Sequence, residues 1–323
     1  MLKTGICTLS ELKRSNAVAG FGGDDRLPSI SLYREAVLED DGDLTNRILE
    51  RFVDASGAYK RTYSNRFQDF DTEIVRIIEA HFGGSTRLRV HDAAVSDART
   101  SCDFFDRLSS KFSALSYRAT DFSNAIRIVR LGGVALTFSA DGELLEAMVP
   151  PFVHGIKRPE SFRKFPLNRL HQLLTVPIYC KAAGLRHRNV EAVQLWCRRA
   201  LKIAQSDPRF SLGTHDLLQP FAADERHDVI RAMNILQPGY FSPAQIRRIA
   251  ENIIDGLRAG GLFVLGRNED ANTPVLGAVY VLDGDRFREI YRSGKAAPEC
   301  AETILATRKE PKLAYDDSVP GRT

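Results

Sequence analysis

Apolar and polar positions in this chain follow two periods, and the change from one to the other marks its elements. The clearest run lies between His227 and Arg267. Asp228, Val229 and Ile230 begin a stretch, HDVIRAMNIL, that reads as a strand buried on both faces and closing at Asn234. Ile246, Ile249, Ile253, Ile254 and Leu257 then recur at helical spacing. Ala259-Gly260-Gly261 is a helix stop, and Leu262 to Leu265 is a second short apolar strand. Strand, crossover helix and buried strand make one unit of a parallel sheet. Ligands of such sheets bind beyond the carboxyl ends of the strands, which places Asn234 in a binding crevice.

The same reading extends along the chain. It predicts a helix over 43–56, with Leu44, Ile48, Leu49, Phe52 and Val53 on one face, and another over 69–82, closed by Gly83-Gly84. Leu88 to Val90 opens the first strand, 103–112 is a helix and 115–119 a second strand. Residues 134–138 and 144–149 flank Asp141-Gly142, a hairpin signal. Leu170, Leu173, Leu174, Val176 and Ile178 mark an amphipathic helix interrupted by Pro177, and a further helix is expected over 190–205 before a strand at 210–212. Residues 275–282 and 287–291 bracket Asp283-Gly284-Asp285, a closing hairpin. Gly20, Gly22, Gly23, Asp24 and Asp25 suggest an irregular leader, and the polar tail 309–323 reads as disordered. The expected architecture is an α/β fold with a mostly parallel seven-stranded sheet and an antiparallel C-terminal hairpin. An N-terminal leader and helical segment (1–84) precede the main domain (85–308), which carries a central insertion at 127–188.

Composition narrows the class without naming a function. A hydrophobic share of 43% and a charged share of 27% belong to an ordinary globular chain, and a net charge of +4 is too small to argue for nucleic acid. Cys7, Cys102, Cys180, Cys197 and Cys300 are scattered, with neither a CxxC pair nor histidines at ligand spacing. That pattern suits free thiols in the cytoplasm and argues against a structural metal. No secretion signal or membrane-spanning run is visible. Charge is uneven, however: residues 157–188 hold eight Lys or Arg against one acid, Glu160. Lys157, Arg158, Arg163, Lys164, Arg169, Lys181, Arg186 and Arg188, interleaved with Phe162, Phe165 and the leucines, suit an acidic partner, an anionic membrane surface, or a solvated lid over the site.

Candidate chemistry gathers at strand ends. RVHDAAVSDARTS (Arg89 to Ser101) follows the first strand, and its small residues let backbone amides approach a ligand; a plain tight turn is the alternative. Asp92 can accept from hydroxyl or ammonium groups. Asp121, in RATDFS, stands where a ribose-binding carboxylate would lie and is equally suited to cap a helix. Asp216, in THDLLQPF, is a third acid after an apolar stretch. His154, His171 and His215 are the histidines best placed to act as a base, with surface or packing roles as the alternative. Tyr63 and Arg66, in YKRTYSNRF, either fold over the site or end a solvated helix.

Taken in order, RVHDAAVSDARTS, RATDFS, THDLLQPF, HDVIRAMNIL and LRAGGLFVLGR resemble the motifs of class I S-adenosylmethionine-dependent methyltransferases, a Rossmann-like family, and most of all its chemotaxis-receptor branch. The resemblance spans about residues 85–295. It implies S-adenosylmethionine as cofactor, with Asp92, Ala93, Ala94 and Ser96 near its methionine part. Asp121 would hold the ribose, Phe122 would lie beside the adenine, Asp216 would accept from the adenine amino group, and Leu217 would pack on the ring. Asn234 would face the methyl group, and His154 is the candidate base. The activity implied is methyl transfer to an O or N atom of a small molecule. The alternatives are carboxyl methylation of a protein glutamate in the chemotaxis manner and a non-catalytic module that binds a partner. Alanines where such turns carry glycines are a departure from the pattern. No metal is expected.

Overall fold

Helices α1 (Leu9–Asn16), α2 (Tyr33–Leu38), α3 (Gly42–Arg51) and α4 (Gln68–Phe82) precede strand β1 (Arg87–Ala93) in the computed structural model. Helix α5 (Arg99–Ser109) and strand β2 (Ala114–Asp121) follow, and then five strands in succession: β3 (Ala125–Leu131), β4 (Val134–Ser139), β5 (Leu144–Val149), β6 (Phe152–Gly155) and, after helix α6 (Pro166–Gly184), β7 (Val190–Gln194). Helix α7 (Arg198–Ser206), strands β8 (Phe210–Thr214) and β9 (His227–Met233), helix α8 (Pro243–Gly256), strands β10 (Leu257–Arg267), β11 (Leu276–Asp283) and β12 (Arg286–Arg292), and helix α9 (Ala301–Ala306) complete the order. The structure describes residues 4–16, 26–39, 42–60, 62–83, 87–157, 166–184, 190–222, 224–268, 273–294 and 298–308. Several sequence expectations fall outside these residues: the glycine-rich leader at Gly20, Gly22, Gly23, Asp24 and Asp25, Gly84, the tail 309–323, and Arg158, Phe162, Arg163, Lys164, Phe165, Arg186 and Arg188.

The fold is α/β and Rossmann-like. Seven strands run in the order β12-β11-β10-β9-β1-β2-β8. β8, β2, β1, β9 and β10 are parallel, and β11 and β12 form the antiparallel hairpin. Every residue of β9 is buried, which is why its sequence reads as a continuous apolar run. On one face, Phe70, Ile74 and Ile78 of α4 and Phe104, Phe105 and Leu108 of α5 pack against Leu88, Val90 and Val229. On the other, Ile246, Ile249, Ile253 and Ile254 of α8 cover Ile230, Ala232, Phe263 and Leu265. Strand order reverses between β1 and β9, opening a crevice at their carboxyl ends.

A second sheet was illegible as such in the sequence. β6-β5-β4-β3-β7 is antiparallel throughout, beginning at Ala125 and ending at Gln194, outside the expected bounds 127–188. Helices α1 to α3 cover one face, where Leu12, Tyr33 and Ile48 meet Ile126, Ile128 and Val193. α6 lies on the other face through Val176. Residues 190–194, expected to begin a helix, form edge strand β7; their alternating exposure fits an edge. The expected helix over 43–56 stops at Arg51. The Asp54 side chain accepts from Ser56 N (2.9 Å), Ser56 Oγ (2.6 Å) and Ala58 N (3.2 Å), a local turn that competes with the helix. Ala259-Gly260-Gly261 ends no helix. It forms the irregularity in β10 between Leu257 and Leu262, with Gly260 at φ +72°. Among the described residues no helix is long and apolar enough to cross a membrane.

Arg231, in the middle of β9, is 1% exposed. Its Nη1 donates to Asp92 Oδ1 (3.1 Å) and Oδ2 (3.0 Å), and its Nη2 donates to Asp71 Oδ1 of α4 (2.8 Å). The guanidinium carbon lies 4.6 Å from the centre of the Phe104 ring and 5.3 Å from that of Phe67. Tyr117 Oη (2.6 Å) and Ser101 Oγ (2.7 Å) donate to Asp92 Oδ2. Two carboxylates and one cation are thus withdrawn from water together. Arg231→Met leaves both acids uncompensated and should lower the unfolding free energy by about 3–5 kcal/mol. Adding Asp71→Asn and Asp92→Asn should recover most of that loss. Urea denaturation checks this; a loss under ~1 kcal/mol for Arg231→Met contradicts it.

Candidate functional site

Strand β1 hands the chain to α5 through a turn that lacks glycine yet adopts glycine geometry. Ala94, Ser96 and Ala98 have φ of 58°, 60° and 64°. Each costs on the order of 1–2 kcal/mol for a residue with a Cβ. Tertiary bonds hold them there. Val95 N donates to Thr120 O (3.1 Å), Ser96 N to Asp121 Oδ2 (2.7 Å), and Ser96 Oγ to Lys60 O (3.1 Å). Backbone strain of this kind concentrates at ligand sites, and it answers the question raised by the missing glycines: the conformation is kept although the residues differ.

This turn forms one wall of an open cleft at the carboxyl ends of the parallel strands. The end of β2 supplies Asp121 and Phe122, the loop after β8 supplies His215, Asp216, Leu217 and Leu218, and the end of β9 supplies Met233 and Asn234. The N-terminal segment from Asp54 to Phe67 closes it from above with Tyr59, Lys60, Thr62 and Arg66. Lys60 is the residue that sequence reasoning missed. It is 3% exposed, and its Nζ donates to Asp121 Oδ1 (2.5 Å) and stands 3.8 Å from Asp54 Oδ2. Nothing in its local sequence marks it, because its hydrogen-bond acceptor, Asp121, lies far along the chain.

Most of the expected residues converge here, but several have their polar groups engaged. Ala93, Ala94 and Ser96 line the cleft beside Asp121, and Phe122 stands at its rim. Asp121 Oδ1 also accepts from Ser123 N (3.0 Å). The carboxylate has about four acceptor sites; Lys60, Ser123 and Ser96 take three. Asp92 borders the cleft, but its oxygens are taken by Arg231, Tyr117 and Ser101, so it serves the interior. Asp216 Oδ1 accepts from Leu218 N (2.9 Å), a turn that presents Leu217 to the cleft. Asn234, at φ 58°, accepts through Oδ1 from Asn268 N (2.8 Å) and donates through Nδ2 to Asn268 Oδ1 (3.0 Å). Its side chain ties the end of β9 to that of β10, and Arg66 Nε donates to the same Asn268 oxygen (3.0 Å). Tyr59, Arg66, Asn234 and Tyr240 continue into a polar recess with Gln237, Arg267 and Asn268.

His154 is corrected. It sits on β6 in the antiparallel sheet, 3.0 Å from His171 of α6, and does not line the cleft. Burial, then the neighbouring His171, pushes it down to about 4. Strand β6, of four residues, is too short for a local pattern to assign His154 to another sheet. His171 goes with it, and among the described residues α6 contributes none to the cleft lining.

Three other histidines cluster under the cleft floor around Phe221. The ring centres of His91 lie 5.3 Å from His215 and 4.9 Å from His227. His91 Nε2 meets Thr120 Oγ1 at 2.8 Å, whereas His91 Nδ1, His215 Nε2 and His227 Nε2 are buried without a hydrogen-bond partner. Burial comes first for all three and holds them below the ordinary imidazole value; His227, His215 and Arg118 add to it for His91, Arg118 for His215, and Arg118 with Arg89 for His227, which is pushed down to about 4. No group of three or more His, Cys, Asp or Glu among the described residues is arranged to hold a metal ion.

No family model and no curated protein matches the chain. Among solved structures, the N-methyltransferase NodS from Bradyrhizobium japonicum WM9 superposes with a TM-score of 0.32 at 13% identity, covering 64% of this chain and 70% of that one. The S-adenosylmethionine-bound amino pentose methyltransferase CalS10 from Micromonospora echinaspora gives 0.32 at 11%, covering 74% and 81%. Phosphoethanolamine N-methyltransferase 1 from Haemonchus contortus gives 0.31 at 12%, covering 73% of this chain but only 31% of its own length. Superpositions this loose carry no argument about the chemistry of this chain.

The histidine cluster carries a pH prediction. Below about pH 6.5 the unfolded chain takes up protons on these imidazoles, while the folded chain holds them neutral until much lower pH. Depressed folded values therefore leave stability untouched above that pH and erode it as pH falls toward about 4. The urea midpoint should drop between about pH 7.5 and 5, and less steeply in His227→Phe. Equal slopes for wild type and variant would contradict this.

Proposed function

We propose that the cleft binds S-adenosylmethionine and that the chain transfers its methyl group to an O or N atom of a polar small molecule. The observation that carries the reading is the strained turn at Ala94, Ser96 and Ala98 facing Asp121 at the reversal point of the sheet. The residues fit the cofactor. Asp121 keeps one acceptor site on Oδ2 for a ribose hydroxyl, and Lys60 neutralises the carboxylate that would otherwise be desolvated. Leu217 and Phe122 offer apolar surface to an adenine ring, and Asp216 Oδ2 offers an acceptor to its amino group.

When bound, S-adenosylmethionine supplies an electrophilic methyl on a sulfonium, so alignment is the chief demand on the protein. Asn234, held by Asn268, is a rigid wall between the cleft and the polar recess. Tyr59, Gln237 and Tyr240 would seat the acceptor in that recess, and the Asp54–Phe67 segment would keep water out. Asn234 is held by one bond through each end of its amide, and an amide takes no proton, so its part is to position. The cleft is Ala93, Ala94, Ser96, Asp121, Phe122, Asp216, Leu217 and Asn234, with Asp92 beneath as support. Carboxyl methylation of a protein glutamate is the rival within the same chemistry; tritiated donor offered with a metabolite extract and with receptor fragments separates the two by where the label lands.

Isothermal titration with S-adenosylhomocysteine is the direct check. The wild type should bind, and Asp121→Ala should weaken binding by about 1.5–3 kcal/mol, or roughly 10- to 150-fold, through loss of a charged acceptor. Absence of heat at about millimolar ligand, or unchanged affinity in the variant, overturns the reading.

A further inference from the structure

Helix α6 turns an apolar face to solvent in addition to the one it packs on the sheet. Leu167, Leu170, Leu173, Leu174 and Ile178 face solvent, with exposures from 47% to 66%. They are five of the twelve large apolar residues exposed among the described residues; the others are scattered. The side that packs on the antiparallel sheet is apolar as well, with one histidine in it. It carries His171, bonded to His154 and 4.4 Å from the Phe152 ring, together with Val176, Tyr179 and Cys180. Surface helices ordinarily turn their polar residues outward, and contiguous exposed apolar surface marks an interaction site.

Charge decides the occupant. Residues 157–188 hold eight cations and one anion. Taking these from the chain's 45 basic and 41 acidic residues leaves 37 against 40, so a segment of net +7 is carried by a body of net −3. Lys181 and Arg169 are exposed on α6 itself. A second copy of the chain would bring two +7 segments together. The chain's own cleft is excluded because α6 lines none of it. A row of exposed apolar side chains about 17 Å long, flanked by cations, matches a helix lying in the headgroup layer of an anionic bilayer.

We propose that α6 is an interfacial anchor that inserts Leu167, Leu170, Leu173, Leu174 and Ile178 into an anionic lipid surface. The anchor is independent of what the cleft binds. The test is co-sedimentation of the full chain with phosphatidylcholine vesicles, with and without phosphatidylserine. The wild type should pellet with the serine lipid, weakly or not at all without it, and less as salt rises. A variant carrying Leu170→Gln, Leu174→Gln and Ile178→Gln should stay folded by circular dichroism, since these side chains are exposed, and should partition ~100-fold more weakly. Equal pelleting of variant and wild type overturns the proposal. So does a wild type that ignores vesicles, whether it elutes as a dimer that the variant splits, is retained on polyglutamate, or remains a free monomer.

Discussion

The buried cation of Arg231 is the constraint on which the rest of the large sheet depends. It sits where β9, β1 and α4 meet, and it reconciles two acids that burial would otherwise expel. Because Asp92 and Asp71 answer to it, β9 can lie beside β1 at only one register, with Val90 opposite Val229 and Asp92 opposite Arg231. That register brings the ends of both strands to the same level, and the crevice opens there. Phe67 and Phe104 close around the guanidinium, so the same cation also fixes how the chain enters α4.

Above that floor the site is assembled from parts that restrain one another. The left-handed turn after β1 is held by Asp121, and Asp121 is held by Lys60 from the segment that follows α3. The Lys60 carbonyl in turn accepts from Ser96 of the turn. Three segments distant in sequence thus close a ring of bonds at one wall of the cleft. Such closure lets alanine and serine occupy backbone conformations that an isolated turn would surrender to glycine. A ligand entering the cleft must share Asp121 with Lys60 or move it.

The parallel unit from His227 to Arg267 was legible because burial on both faces leaves an unbroken apolar run, and its helix shows a clean 3.6 period. The antiparallel sheet was not, apart from the Asp141-Gly142 hairpin. Its strands are short, β6 has four residues, and β7 is separated from its partner β3 by a helix, so no local pattern links them. The positions of Asp121, Asp216 and Asn234 at the cleft were read from strand ends. Whether their side chains face a ligand or the protein is decided by distant partners, which is how Asp92 and Asn234 prove to be engaged internally. A signal for the histidine cluster did exist: the same dipeptide recurs as His91-Asp92 in β1, His227-Asp228 in its neighbour β9 and His215-Asp216 just past β8.

The two sheets divide the molecule's duties. One carries the cleft; the other covers it through the segment that leaves α3 and carries the outward-facing leucines on its far side. The central claim is that the strained turn and Asp121 form a nucleoside site. A crystal structure of the complex with S-adenosylhomocysteine tests it most directly. The account predicts a ribose hydroxyl within hydrogen-bond distance of Asp121 and the sulfur near the Ala94–Ser96 turn. A ligand bound elsewhere, with the Lys60–Asp121 pair undisturbed, would contradict it.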